Sequence, residues 1–69
     1  MEHCYINVTP AKGGWVGQVI TRQDYHERGP HARTHQTLIY KDYDNAKAAA
    51  NEWADEHGFS IFSVDDIAA

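Results

Sequence analysis

The clearest pattern in the chain is an amphipathic helix in its second half. Six mostly small residues recur at the spacing of one helical face: Ala46, Ala49, Ala50, Trp53, Ala54 and His57. Asp44 is placed to cap the first turn, and Gly58 follows the last periodic residue, where a left-handed backbone would end the helix. Because alanine dominates this face, the helix can approach a flat surface closely, with Trp53 as its one large anchor. The pattern predicts a helix packed on a β-sheet.

Upstream of the helix, alternating apolar and polar residues predict two strands joined by a tight hairpin. The alternation runs over residues 4–9, stops at the proline and paired glycines of residues 10–14, and resumes over residues 15–21. Either side of the second strand could face the helix. Gly17 lies inside this strand and predicts a bulge or the close approach of another element, with room for the helix or for a neighbouring aromatic residue as the simpler reading.

The connection over residues 22–36 shows no sustained periodicity and contains a Gly-Pro breaker pair, which predicts a long mobile loop. Alternatively, the flanking strands extend into it and turn near its middle. Residues 37–41 predict a third strand. Residues 59–64 are apolar and β-prone but alternate poorly, so they form either a fourth strand or an extended segment, and residues 65–69 are expected to fray.

Together these elements predict an α+β fold: a three- or four-stranded antiparallel sheet with one helix packed on one face. The other face would be open to solvent or to a partner. A chain of 69 residues has room for one domain with a small core, and 12% aromatic residues argue against disorder. An unpaired edge strand or an uncovered face could also support a homodimer.

Cysteine usage and the N-terminal residues predict a cytoplasmic protein. Cys4 is the single cysteine of the chain, so no internal disulfide can form. The first residues lack the basic and apolar regions of a signal peptide, and no apolar run approaches the length of a membrane span. We therefore expect neither secretion nor membrane insertion.

The net charge of −4 is unevenly distributed. Residues 21–41 hold four basic residues against two acidic ones, and their histidines can add positive charge at low pH. From residue 42 onward, seven acidic residues stand against Lys47 alone. The sequence therefore predicts a weakly basic central stretch beside an acidic helix and tail.

No arrangement of residues predicts catalysis or a cofactor. Nothing near Cys4 or the serines suggests a base or an oxyanion hole. The carboxylates fall where solvation explains them. A weaker hypothesis is a metal site formed by His26, His31 and His35, with His3 or Cys4 as fourth ligand, although a loop offers little to fix such ligands. We expect no enzyme, no metal and no cofactor.

Two stretches resemble known small domains. The segments 14–19 (GWVGQV) and 40–50 (YKDYDNAKAAA) are similar to the three-strand-plus-helix pattern of AP2-type and integrase arm-type DNA-binding domains, which place their sheet in the major groove. The same hairpin followed by an alanine-rich helix also resembles HicB-type antitoxins, whose partial RNase-H-like domain binds a toxin protein. The first resemblance implies DNA as the ligand, and the second implies a protein.

The favoured reading is a small non-enzymatic protein-interaction module, of the kind that regulates or inhibits a partner in phage or mobile elements. It would act through the open sheet face and the acidic helix. The alternative is nucleic-acid binding by the sheet and by loop 22–36, where arginines interleave with tyrosine and histidine. The candidate partner-binding residues are Tyr5, Trp15, Tyr25, Arg28, Arg33, Glu52, Asp55 and Glu56.

Overall fold

The computed structural model describes residues 2–29 and 32–64. Within these ranges the α+β class is confirmed, with two helices and four strands. In chain order the elements are β1 (His3–Ala11), β2 (Gly14–Thr21), α1 (Arg22–Arg28), β3 (His35–Tyr40), α2 (Tyr43–Glu56) and β4 (Ser60–Val64). Because β4 pairs within the sheet, the segment after α2 forms a fourth strand and not merely an extended segment. Residues 65–69, which were expected to fray, lie outside the described residues.

The sheet is mixed, so the prediction of a purely antiparallel sheet is wrong. Its strand order is β3-β2-β1-β4, with β1 antiparallel to β2 and β2 antiparallel to β3. β4 instead runs parallel to β1. The reason is that α2 carries the chain across the sheet from β3 to the far side of β1, and a helical crossover returns the next strand in the same direction.

α2 packs on one face of the sheet and forms the main core there. The buried members of this core are Cys4, Ile6, Val8, Val19, Ala46, Ala50 and Ala54. Gly17 also lies on this side, because a Cβ atom built on it would fall 2.5 Å from the carbonyl oxygen of Ala46. The side of β2 that carries Gly17 and Val19 therefore faces the helix, as the alanine stripe allows.

The opposite face of the sheet is partly covered, which corrects the expectation of a fully open face. α1 lies against β1 and β2, and the Tyr25 ring contacts the Tyr5 ring at a centroid distance of 6.1 Å. Ile20, which alternation places on this side of β2, is 1% exposed. An interface across the whole of this face is therefore excluded by the chain itself.

α1 replaces part of the predicted loop 22–36, so the expectation of a single helix is also wrong. Thr21 caps it, since its hydroxyl oxygen accepts the N–H of Asp24 at 3.1 Å. The helix ends at Arg28 and is capped by Gly29, whose backbone has a φ of 95° and whose N–H donates to the carbonyl oxygen of Tyr25 at 3.0 Å. Seven residues with one large apolar side chain are too few to show helical periodicity, but the Thr-x-x-Asp start was a visible signal.

One threonine ties α1 to the start of β3. The hydroxyl of Thr34 accepts the backbone N–H of Thr21 at 3.1 Å and donates to an Asp24 carboxylate oxygen at 2.7 Å. Thr34→Val keeps the shape but removes both bonds, so it should lower the free energy of unfolding by about 1–2 kcal/mol. Chemical denaturation checks this. Thr34→Ser keeps the hydroxyl, so it should lower the free energy of unfolding by less. Equal losses in the two variants would contradict a stabilising role for these two hydrogen bonds.

The ends of α2 differ slightly from expectation. The N-cap is Asp42 rather than Asp44, which lies in the first turn, and the Asp42 side chain makes no capping bond. It accepts instead from the side chain of Asn45 at 3.2 Å. At the other end, Gly58 adopts a φ of 77°, which confirms it as the left-handed residue that follows the helix. No helix in the described ranges is long and apolar enough to cross a membrane.

Candidate functional site

The predicted partner-binding residues fall into separate places on the molecule. Tyr5 lies on the α1 side of the sheet, half-buried between the rings of Tyr25 and Phe62. Trp15 lies on the other side, where it packs against the core and contacts the Tyr43 ring edge-on at 5.3 Å. Either Tyr5 or Trp15 was expected to be exposed on an open face, whereas the two lie on opposite faces and both are partly buried.

The two arginines of the set are engaged with neighbouring polar groups. Arg28, in the last turn of α1, lies 3.7 Å from a carboxylate oxygen of Asp24. Arg33 donates to the side-chain oxygen of Gln36 at 2.8 Å. Gln36 in turn accepts from Gln18 at 3.4 Å, so Arg33 ends a row of amide side chains that crosses the sheet. Both contacts lie at the protein surface, and the Arg28 side chain remains 60% exposed.

The three acidic residues lie on α2, and two of them border a groove. Glu52 and Glu56 are exposed and one helical turn apart, while Asp55 is exposed but does not line the groove. The groove has a volume of about 370 Å³ and separates α2 from β3. We call it the β3–α2 groove, and its lining residues are His35, Gln36, Thr37, Leu38, Tyr40, Ala49, Glu52, Trp53 and Glu56.

Trp53 lies half-buried in this groove, held between two imidazole rings. The His35 ring stacks on it at a centroid distance of 4.3 Å, with an angle of 4° between the planes. The His57 ring stacks at 3.9 Å and 17°. His57 Nδ1 lies 2.8 Å from the carbonyl oxygen of Trp53, which can only accept, so this nitrogen donates. The stack fixes the indole in one orientation between β3 and α2.

β3 forms one edge of the sheet and lacks most of the devices that protect an edge strand. Its six residues include no lysine, arginine, carboxylate or proline. Leu38 is 79% exposed and Ile39 is 53% exposed. A bulge opposite Gly17 is its one irregularity, where the Thr37 hydroxyl accepts the Gly17 N–H at 2.9 Å in place of a regular ladder bond. The groove thus opens beside apolar side chains and an unpaired strand edge.

The charge along α2 gives this groove a negative rim. Over Tyr43–Glu56 the helix carries four acidic residues against Lys47 alone. Both groove carboxylates are on its last two turns, whereas β3 contributes no lysine or arginine to balance their charge. A ligand in the groove would therefore meet an apolar and aromatic floor with negative charge on one side.

Sequence reasoning missed the β3 side of this site. Leu38 was assigned only to a strand, and Trp53 only to the helix anchor. His35 was considered as a metal ligand, but its ring lies flat on Trp53. Within residues 2–29 and 32–64, no three His, Cys, Asp or Glu side chains are grouped to hold a metal ion, and His31 lies outside these ranges. The signal available was that Leu38 and Ile39 are adjacent in one strand, since alternation places neighbouring residues on opposite faces.

Cys4 is fully buried in the core under α2. Burial raises the pKa of its thiol, and the negative charge of Glu2 raises it further. The folded state therefore holds the thiol proton at a pH where the unfolded chain releases it. The stability that the buried thiol contributes is fully present below the pKa of a cysteine in the unfolded chain, about 8.5, and is lost as the pH rises further.

This predicts that stability falls more steeply above about pH 8.5 in the native sequence than in Cys4→Ala, which has no thiol to titrate. Urea denaturation at intervals between pH 7 and pH 10 measures the two slopes, and tyrosine and lysine titrations cancel in the difference. A thiol reagent should label Cys4 only after unfolding. Parallel slopes together with rapid native-state labelling would contradict a buried, protonated thiol.

Comparison with protein-family models, with curated proteins and with solved structures finds no match to this chain. The resemblances to AP2-type, arm-type and HicB-type domains therefore stay predictions. What the fold itself defines is a small α+β domain with a mixed four-stranded sheet, two helices and a negatively rimmed groove at one sheet edge.

Proposed function

We propose that this chain is a non-enzymatic, cytoplasmic protein-interaction module that binds its partner through the β3–α2 groove. The observation that carries the proposal is Leu38, which is 79% exposed on an edge strand and lines a groove beside Trp53. A large apolar side chain left in water next to an aromatic floor is the composition of an interface centre. The carboxylates of Glu52 and Glu56 form a polar rim around it.

The groove is a better candidate than the face of the sheet opposite α2. That face is occupied near Tyr5 and Ile20 by α1, whereas the groove stays open between two elements that are each held in place by the core. A site formed by a strand and a helix needs little ordering on binding, which reduces the entropic cost of association. Regulation or inhibition of the partner would follow from occupying the surface that it presents.

Nucleic-acid binding is less well supported by the described residues. Arg28 and Arg33 are engaged with Asp24 and Gln36, and α1 carries as many acidic as basic side chains. The most exposed of the large apolar side chains, Leu38, lies instead beside the acidic helix, which would repel phosphates. We therefore treat nucleic acid as an alternative outcome of the test.

Site-specific photo-cross-linking tests the proposal. A benzophenone amino acid replaces Leu38 in one sample and, as the matched control, exposed Lys12 in the β1–β2 turn in another. After irradiation in native lysate, position 38 should give a discrete protein adduct that position 12 lacks. Glu52→Gln with Glu56→Gln should weaken that adduct. Identical adduct patterns from both positions, or a product at 38 that nuclease removes, would overturn the proposal.

A further inference from the structure

We infer that the groove takes a short extended segment of a basic partner protein, added to the sheet as a fifth strand beside β3. This inference rests on the proposed function and specifies how the partner is held. In the inferred segment, Lys or Arg alternates with Val or Ile. Its basic side chains face α2, and its apolar side chains face the opposite side of the sheet.

The strand edge supplies the first part of the argument. Among residues 2–29 and 32–64, β3 pairs with β2 alone, so its other side presents main-chain N–H and C=O groups in the order that an added strand needs. The bulge at Thr37 divides β3 into two short runs, which suits a segment of a few residues better than a long regular strand. Main-chain bonds would provide affinity without a fixed sequence.

The two faces of β3 supply the side-chain pattern. His35 and Tyr40 pair with Val19 and Trp15, so they lie on the α2 side, whereas Ile39 pairs with Val16 on the other side. Side chains of an added strand alternate in the same way. Those beside Ile39 meet an apolar surface that is 53% exposed, which favours Val or Ile there.

On the α2 side, an added side chain must pass the aromatic floor and then meet carboxylates. Trp53 and Leu38 line the groove, and Glu52 and Glu56 stand at its rim. Lys and Arg match this succession, because their aliphatic stems pack on apolar surface while the charged head reaches outward. An acidic segment would repel the two carboxylates, and a purely apolar segment would leave them unpaired.

The same charge argues against the two occupants that this chain could supply itself. A second copy pairing through β3 would join the two sheets into one and place the two acidic α2 helices side by side on the same face. Like charges would then face each other. The chain's own last five residues carry Asp65 and Asp66 and share the sign of the groove rim. A basic segment from another protein has neither problem.

A synthetic peptide tests the inference directly. The probe has eight residues in which Lys alternates with Val, and it is acetylated and amidated at its ends. It is titrated into the isotope-labelled chain and followed by NMR. We expect shifts confined to β3 and the groove side of α2, slower amide exchange along β3, and cross-strand contacts between peptide and β3. A peptide with Glu in place of Lys should not bind.

Two matched comparisons separate the parts of the mechanism. The double variant Glu52→Gln with Glu56→Gln should bind the peptide with about tenfold lower affinity. The control, Asp44→Asn with Asp55→Asn, removes the same charge from the same helix outside the groove, so it should lower the affinity far less. A peptide N-methylated at every residue keeps the side chains but cannot donate main-chain bonds, so it should not bind.

The outcomes distinguish this inference from the proposed function. If Leu38 cross-links a discrete protein but the peptide leaves β3 unchanged, or if the N-methylated peptide binds equally well, strand addition is wrong and the interaction module stands. If the chain alone forms a dimer with β3 amides already protected from exchange, the occupant is a second copy. If position 38 gives no protein adduct and the peptide does not bind, both are wrong.

Discussion

Replacing Gly17 with alanine should lower the free energy of unfolding by about 2–3 kcal/mol and loosen α2 from the sheet. The added Cβ would lie 2.5 Å from the carbonyl oxygen of Ala46 and 2.9 Å from the Cβ of Ala50. The nearest atom belongs to the helix backbone, so no side-chain rotation can relieve the contact. α2 must shift outward, and the core alanines lose their contact with β1 and β2. Denaturation and α2 amide exchange measure the two effects.

The chain offers a control for this substitution. Gly58→Ala also adds one Cβ, but nothing lies within 4 Å of it, so it reports only the cost of a φ of 77°, about 1–2 kcal/mol. Exchange should accelerate throughout α2 in Gly17→Ala and only near the C-terminal end of the helix in Gly58→Ala. A Gly17→Ala variant as stable as the native chain would show that α2 does not rest on β2 as described.

Gly17 also shows how far the sequence could predict the fold. A glycine inside a strand, opposite a helix with an alanine face, predicted a close approach, and the structure places Ala46 and Ala50 against it. The alternative, a bulge in the strand that carries Gly17, is not what the structure shows, since the extra residue lies in β3 opposite it. The close approach is a local consequence of small side chains, so a pattern of residue sizes was enough to predict it.

Features that depend on strand order could not be predicted in the same way. Residues 59–64 alternate poorly, and their pairing with β1 in the parallel direction depends on where α2 delivers the chain. α1 was missed because its stability comes from Thr21, Thr34 and Asp24, which are brought together from β2, α1 and the approach to β3. Such contacts have no periodic signature in the sequence.

The candidate site also contains residues that local sequence could predict and residues whose role depends on strand order. Glu52 and Glu56 were selected from charge alone, and they do border the groove. Leu38 was not selected, because its exposure follows from β3 being an edge strand, and the order β3-β2-β1-β4 could not be deduced from the alternation. Trp53 was assigned to the core, whereas its place between two histidines requires β3 and α2 to be adjacent.

Trp53→Ala should have the largest combined effect on fold and site. The indole stacks on His35 and His57 and packs against the core near Phe59, so its removal should lower the free energy of unfolding by about 2–4 kcal/mol. It should also abolish binding of the Lys-Val peptide, because the groove loses its floor. Thermal denaturation and calorimetric titration at a temperature where the variant is folded measure the two losses.

Trp53→Phe separates these two roles. Phenylalanine keeps an aromatic face for His35 and His57, so we expect a loss of about 1 kcal/mol and weakened but measurable peptide binding. The double variant Glu52→Gln with Glu56→Gln changes exposed positions, so its free energy of unfolding should stay within about 0.5 kcal/mol of the native value while its affinity for the peptide falls. If Trp53→Ala lost stability yet bound the peptide with native affinity, the indole would serve only the core, and the groove would have to bind through β3 and the carboxylates alone.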